Sequence, residues 1–370
     1  MHHTIKMTLV TVMALMLAAC TASTGTAPES AARDSVEAKT DTIVKEVTMT
    51  FTGDVMMGTN FPKDYITPDR GKSLFNDCKE IMRQADLTIV NLEGTCYDGT
   101  DGEIRKMTNP KTYYIFRMPG DHAQHLADAG VDAVNMANNH SFDFGMTGRR
   151  NTLKTMESVG IKVVGLREMA EYAVLERNGV KFVYLGFAAS CTQVLDMLDQ
   201  AEVDRMIDQC KGLGDVLIVS FHGGAEGTDH LHVPKKTETY VGENRGNVYE
   251  FAHHCIDKGA DIVIGHGPHV PRALELYKGH LIAYSLGNFC APYRMGTRGA
   301  TGYAPLLQVT LNTADGTFKG GQIHSYKQIQ GVGPRTDSTH AAATLMRDLT
   351  LQDFPETQLS IDDNGQIHLK

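Results

Sequence analysis

Residues 260–270 read ADIVIGHGPHV, a short β-branched run that stops at Gly265 and is followed by His266, Gly267, Pro268 and His269. An apolar run of this length bounded by Gly and Pro reads as a buried strand. The Gly-Pro turn then holds two imidazoles at the strand's carboxyl end. The same design recurs in VTMTFTGD (47–54), ADLTIVNLEG (85–94), VDAVNMANNH (131–140), DVLIVSFHGG (215–224) and LIAYSLGNF (281–289). Stretches of helical period lie between these runs: SLFNDCKEIMRQA (73–85), PGDHAQHLADAG (119–130), GRRNTLKTMESVG (148–160) and NVYEFAHHCIDKGA (247–260). The last two close on Gly, as a helix C-cap prefers. Strands alternating with helices predict an α/β fold whose largely parallel strands are sandwiched between helices.

In such sheets the ligand site lies beyond the carboxyl ends of the strands. Here those ends carry Asp54, then Asn91 and Glu93, then Asn138, Asn139 and His140, then His222, then His266 and His269, and finally Asn288. Asp, Glu, Asn and His without a thiolate form a hard-to-borderline donor set suited to Zn²⁺, Mn²⁺ or Fe. Two such ions activate water and neutralise charge on a transferring oxygen, which points to metal-assisted hydrolysis. His140 is the candidate proton donor, with Asp143 the group that would orient its ring.

Each residue also has a plainer reading. NMANNHSFDFG (135–145) taken alone is a turn, because Asn, Asp and Ser bond their own backbone. Asp54 by itself is as well explained as a helix cap, and Glu93 as a solvated turn residue. The recurrence at successive strand ends shifts the balance towards a site. His122, His125, His253, His254 and His368 read as surface or packing residues. His230 and His232 sit in a long loop, TDHLHVPKKTETYVGENRG (228–246), expected to cover the pocket and carry specificity.

Composition bounds the rest. The chain has 370 residues, 42% hydrophobic, with net charge −9, enough for a full core. No basic block interleaves with aromatics, so no nucleic-acid partner is expected. Residues 1–19 read as a signal peptide, since Lys6 precedes an apolar run too short to span a bilayer. Its ending, LAAC, resembles a bacterial lipobox, which would make Cys20 the lipidated first residue of the mature protein. Residues 20–45, rich in Thr, Ser and Ala, read as a flexible tether. The folded body is expected over 46–332, with 333–370 a helix-and-strand extension of the same domain. The other six cysteines show no metal-site spacing, and no specific bridge is predicted.

Taken in order, FTGDVMMG, IVNLEG, NMANNHSFDFG, SFHGGAE, GADIVIGHGPHV and YSLGNF resemble the bacterial CapA-type family of poly-gamma-glutamate capsule synthesis. That family is similar in fold to calcineurin-like metallophosphoesterases, which implies a four-layer sandwich of two packed mixed β-sheets flanked by helices. Carried over by position, the resemblance implies Asp54, Glu93, Asn139, His222 and His266 as metal ligands and His140 as the catalytic acid; His269, at the same strand end as His266, is a further candidate ligand. Asn91, Asn138, Asp143 and Asn288 are left as supporting or substrate-facing groups. Two departures are visible. Met56 stands where phosphoesterases place a His after the first Asp, and the final motif spaces His266 and His269 one residue wider than the phosphoesterase pattern, with Gly267 replacing a His often found between them in the capsule family. One or two divalent ions (Mn, Zn or Fe) are therefore expected.

Three functions fit these residues. The leading one is a lipid-anchored hydrolase on the extracytoplasmic side of the cell envelope, acting on an anionic polymer or phosphoester-containing component within the capsule synthesis machinery. The second is a γ-glutamyl amidase or peptidase on the same metal. The third is a non-catalytic module that binds polymer or partner, which the Met56 substitution favours.

Overall fold

The computed structural model describes residues 46–105, 114–189 and 192–370. The expected signal peptide, the tether and Cys20 lie outside the described residues, as does Cys191. No helix among the described residues is long and apolar enough to cross a membrane.

Two large sheets pack face to face. The first contains Glu46–Val55 at its centre, with Leu87–Leu92, Ala133–Asn135 and Lys162–Val164 following in parallel on one side. On the other side Tyr303–Asn312, Phe318–Ile329, Gln366–Leu369 and Leu359–Ile361 run antiparallel. The second sheet sets Val180–Ala188, Val216–His222, Ile262–His266 and His280–Ala283 parallel, with antiparallel edges Tyr172–Arg177 and Leu274–Tyr277. The strands are thus mixed rather than largely parallel, because hairpins assemble half of the first sheet.

Side chains on alternate positions face opposite ways along a strand, and the core follows that period. Phe182 and Tyr184 join Met49, Phe51, Ile89, Ile218 and Ile264 between the sheets. Val183, Leu185 and Phe187 point outward, against helices α4 (Gln200–Cys210) and α5 (Val248–Lys258). The outer face of the first sheet is covered by α1 (Lys79–Gln84), α2 (His122–Ala129) and α3 (Gly145–Ser158), through Met82, Leu126 and Met156. Helix, sheet, sheet and helix make the four layers. A sixth helix, α6 (Ala341–Asp353), supplies Ala343 and Met346 to the central layer and Leu349 to the outer one.

Local chemistry sets the helix ends. Asp199 caps α4 by accepting from the amides of Ala201 and Glu202, and Asn247 caps α5 through Glu250 N. Gly259, at φ 116°, closes α5 in the left-handed region. Helix α4 carries its apolar residues at helical spacing, yet it is absent from the stretches singled out above. The 73–85 stretch is helical only from Lys79, because Asp69 takes the amides of Gly71 and Ser73 and holds the preceding residues in turns.

LIAYSLGNF is not one strand. The chain leaves the second sheet after Ala283 and joins the first at Asn288. Ser285 Oγ donates to Val270 O and accepts from Gly287 N, and Gly287 turns at φ 59°. Asn288 therefore opens a strand instead of ending one, and it pairs directly with Asp54.

Candidate metal centre

Strand pairing brings the polar ends together before any side-chain contact is considered. Asp54 lies in register with Asn91 on one side and Asn288 on the other, and Asn91 with Asn135. In the second sheet His222 and His266 are register partners. Gly53 makes the junction possible, since a Cβ there would lie 2.1 Å from Gly287 O. That close approach lets Asp54 N donate to Gly287 O at 2.8 Å.

Asp54 is fully buried. Its Oδ1 accepts from Asn91 Nδ2 at 2.8 Å and lies 3.4 Å from His266 Nδ1, while its Oδ2 lies 3.0 Å from His269 Nδ1. His269 Nδ1 is also 3.0 Å from Asn288 Oδ1. Glu93, equally buried, places Oε1 3.6 Å from His222 Nε2, 3.7 Å from His269 Nε2 and 3.9 Å from His140 Nε2. Asp54, Glu93 and His269 each bring a ligand atom within 4.8 Å of the others.

Burial opposes ionisation of both carboxylates, but neighbouring imidazoles outweigh it. Asp54 is held well below the usual carboxylate range by His266 and His269, and Glu93 is lowered by His269 and His222. For His269, burial is overcome by Glu93, Asp54 and Glu226, and its pKa is pushed up to about 10. Burial pushes His222 down despite Glu93. The centre therefore gathers two buried carboxylates whose ionised forms are stabilised by the imidazoles around them.

Several of these atoms have no partner. Glu93 Oε1 and Oε2, His222 Nδ1 and Nε2, His266 Nδ1 and Asn139 Oδ1 are buried without a hydrogen bond among the described residues. Buried polar atoms are rarely left so. A convergent set of carboxylate, imidazole and amide donors in that state fits a divalent cation. Met56 is fully buried, and the imidazoles beside Asp54 are those of His266 and His269.

The turn question at 135–145 is answered by geometry. Asn138 behaves as a turn former, with Oδ1 accepting from His140 N, yet its Nδ2 also donates to Leu92 O at 2.9 Å. His140 Nδ1 lies 2.8 Å from Asp143 Oδ2, and its ring packs 4.4 Å from that of Phe116. Asp143 is pinned in turn by Phe116 N at 2.8 Å and by Arg105 Nη2 at 3.1 Å. Nε2 is left facing Glu93. The sequence offered no signal for Phe116, and Arg105 is not in any of its motifs.

The remaining histidines separate from this cluster. His232 Nδ1 pairs with Asp353 on α6, and His253 and His254 pair with Glu275 and Asp204. His122 is fully buried in α2. Cys78, Cys96, Cys210, Cys255 and Cys290 are buried free thiols. The 228–246 loop carries a 3-10 turn (Thr228–His230) and a hairpin of Glu238–Tyr240 with Glu243–Gly246. Two residues not singled out from the sequence, Glu226 at the end of SFHGGAE and Arg245 in the 228–246 loop, adjoin the centre here: Glu226 Oε2 lies 3.9 Å from His269 Nε2, and Arg245 pairs with Glu226 at 3.0 Å.

A family model described as "Bacterial capsule synthesis protein PGA_cap" matches residues 48–293. The chain is 29% identical over 259 residues to the PGA biosynthesis protein CapA of Bacillus subtilis (strain 168), covering 65% of this chain and 62% of that one. It is 26% identical over 270 residues to the capsule biosynthesis protein CapA of Bacillus anthracis, covering 66% and 60%. The chain thus spans about three-fifths of the length of these curated relatives. Among solved structures, a phosphatase from Mycoplasma pneumoniae aligns over 80% of this chain and 96% of its own, at 16% identity and a TM-score of 0.47.

Proposed function

The chain belongs to the bacterial capsule synthesis family PGA_cap, and from that footing we propose that it is a metal-dependent hydrolase of capsule or envelope polymer synthesis. The observation that carries the reading is Glu93, a fully buried carboxylate with neither oxygen hydrogen-bonded, ringed by His140, His222 and His269 beside Asp54. The names of the curated relatives support a poly-gamma-glutamate-like setting. Attachment to the extracytoplasmic face through Cys20 is part of the same proposal and rests on the LAAC sequence.

Asp54, Glu93, Asn139, His222, His266 and His269 would hold the cation. A divalent cation among them would lower the pKa of water and polarise a phosphoryl or carbonyl oxygen. The chain's own part is positional. Asp143, fixed by Arg105 and Phe116 N, orients the His140 ring, so that Nε2 is placed to deliver a proton to the leaving oxygen. Phe116 packs against that ring at a tilt and helps to hold it.

The test is metal analysis of the purified protein together with hydrolysis of a generic phosphodiester and of poly-γ-glutamate, for wild type, His222→Ala and His140→Ala. Bound metal in the wild type, with turnover that both substitutions abolish, is the expected result. Protein that neither carries nor takes up a transition metal refutes the hydrolase. Buried Met56 favours one other reading, a non-catalytic polymer-binding module, which metal uptake without turnover would support. Cleavage of poly-γ-glutamate alone would assign the amidase.

A further inference from the structure

Arg245 and Arg272 are both buried and both bonded to residues of the 225–246 region, but only one of them is satisfied. Arg272 donates from Nε to His230 O, from Nη1 to Glu238 Oε1, and from Nη2 to Ala225 O and Glu238 Oε2. It is a structural pin. Arg245 is 2% exposed and uses Nη1 alone, on Glu226 Oε1 at 3.0 Å. Its Nε and Nη2 have no partner among the described residues.

Those two nitrogens form one edge of the guanidinium, the fork that matches two oxygens of a carboxylate or phosphate. An arginine kept buried with that edge unused costs stability unless a ligand fills it. The backbone fixes where the edge sits. Arg245 O accepts from Gly224 N, directly after the His222 strand, and a Cβ on Gly267 would come within 3.3 Å of Nη2. The guanidinium therefore lies over the two Gly-bearing ends that follow His222 and His266. Glu226 ties it to the centre, with one oxygen on Arg245 and the other 3.9 Å from His269.

We propose that Arg245 is the oxyanion anchor of this site, its Nε–Nη2 edge gripping a phosphate or carboxylate group of the substrate while Glu226 holds the guanidinium beside the metal centre. This rests on the hydrolase reading for its role in turnover, but not for its binding. The hairpin that delivers Arg245 would thus carry specificity by charge and fork geometry. No bond is made or broken in this step.

The experiment is calorimetric titration of the full chain with inorganic phosphate and, separately, with tri-γ-glutamate, before and after loading with Mn²⁺. Wild type is compared with Arg245→Met and Arg245→Lys. Arg245→Met is expected to weaken binding of the preferred anion about 10- to 100-fold, the loss of a charge-assisted bidentate pair. Arg245→Lys keeps the charge without the fork, should fall between, and decides the matter if the Met variant fails to fold. Preference for phosphate assigns a phosphoester substrate, and preference for tri-γ-glutamate a polycarboxylate. Unchanged affinity in the variants, or no binding of either anion by wild type, overturns the anchor. Metal content is measured on the same samples. Arg245-dependent anion binding without metal uptake would refute the hydrolase and leave the anchor standing, whereas turnover with unaltered KM in both variants would do the reverse.

Discussion

Replacing Asp143 by Asn tests the arrangement at His140 most directly. The substitution is nearly isosteric, and the amide oxygen can still accept from Phe116 N, so the loop is retained. What is lost is the negative charge 2.8 Å from His140 Nδ1 and 3.1 Å from Arg105 Nη2. A hydrogen bond to a charged group contributes roughly 1.5–3 kcal/mol, which at about 1.4 kcal/mol per tenfold predicts a fall in kcat of about 10- to 100-fold. KM should change little, because Asp143 is fully buried beneath the ring and does not face a ligand. The assay is steady-state hydrolysis of a phosphodiester with metal content measured in parallel. Metal should stay at the wild-type level, since Asp143 is not among the atoms around Glu93. Wild-type kcat in Asp143→Asn, or lost turnover that tracks lost metal, would refute the assignment of His140 as a proton donor oriented by Asp143.

Other outcomes follow from particular contacts. Glu93→Gln should weaken divalent-metal uptake beyond the roughly 10- to 100-fold typical of losing an outer supporting contact, read by elemental analysis after dialysis. Glu238→Gln breaks the buried, bidentate pair with Arg272, and chemical denaturation should show a loss of about 3–5 kcal/mol. His122 gives a pH signature away from the centre. Burial, with neither ring nitrogen bonded, pushes its pKa down to about 4, below the ~6.5 of an unfolded imidazole. The unfolded chain then binds the extra proton, so the stability tied to neutral His122 is complete above pH ~6.5. It is lost as pH falls towards about 4, reaching roughly 3 kcal/mol. Urea unfolding between pH 7 and 4.5 should show this slope in wild type and a shallower one in His122→Leu.

Strand identity was legible because a β-branched run closed by Gly is a local signal. It located Asp54, Glu93, His222 and His266 at strand ends without any tertiary information. The LIAYSLGNF stretch was misread because leaving one sheet for another depends on Ser285 bonding Val270 and on Gly287, not on hydrophobicity. Arg245 was invisible for a related reason: a lone basic residue in a polar hairpin looks solvated until burial and unused donors are seen together.

The chain by itself determined which residue types stand at which strand ends, since period and turn chemistry are properties of neighbours along the backbone. Only the tertiary structure decided which of them meet. Asp54 and Glu93 come from the first sheet and His222 and His266 from the second, and their convergence depends on two sheets packing at one register and on Gly53 admitting a crossing chain at close range. Whether Asp143 touches His140, and whether buried donors of an arginine are left unpaired, are set by distances across the fold that no spacing in the sequence encodes.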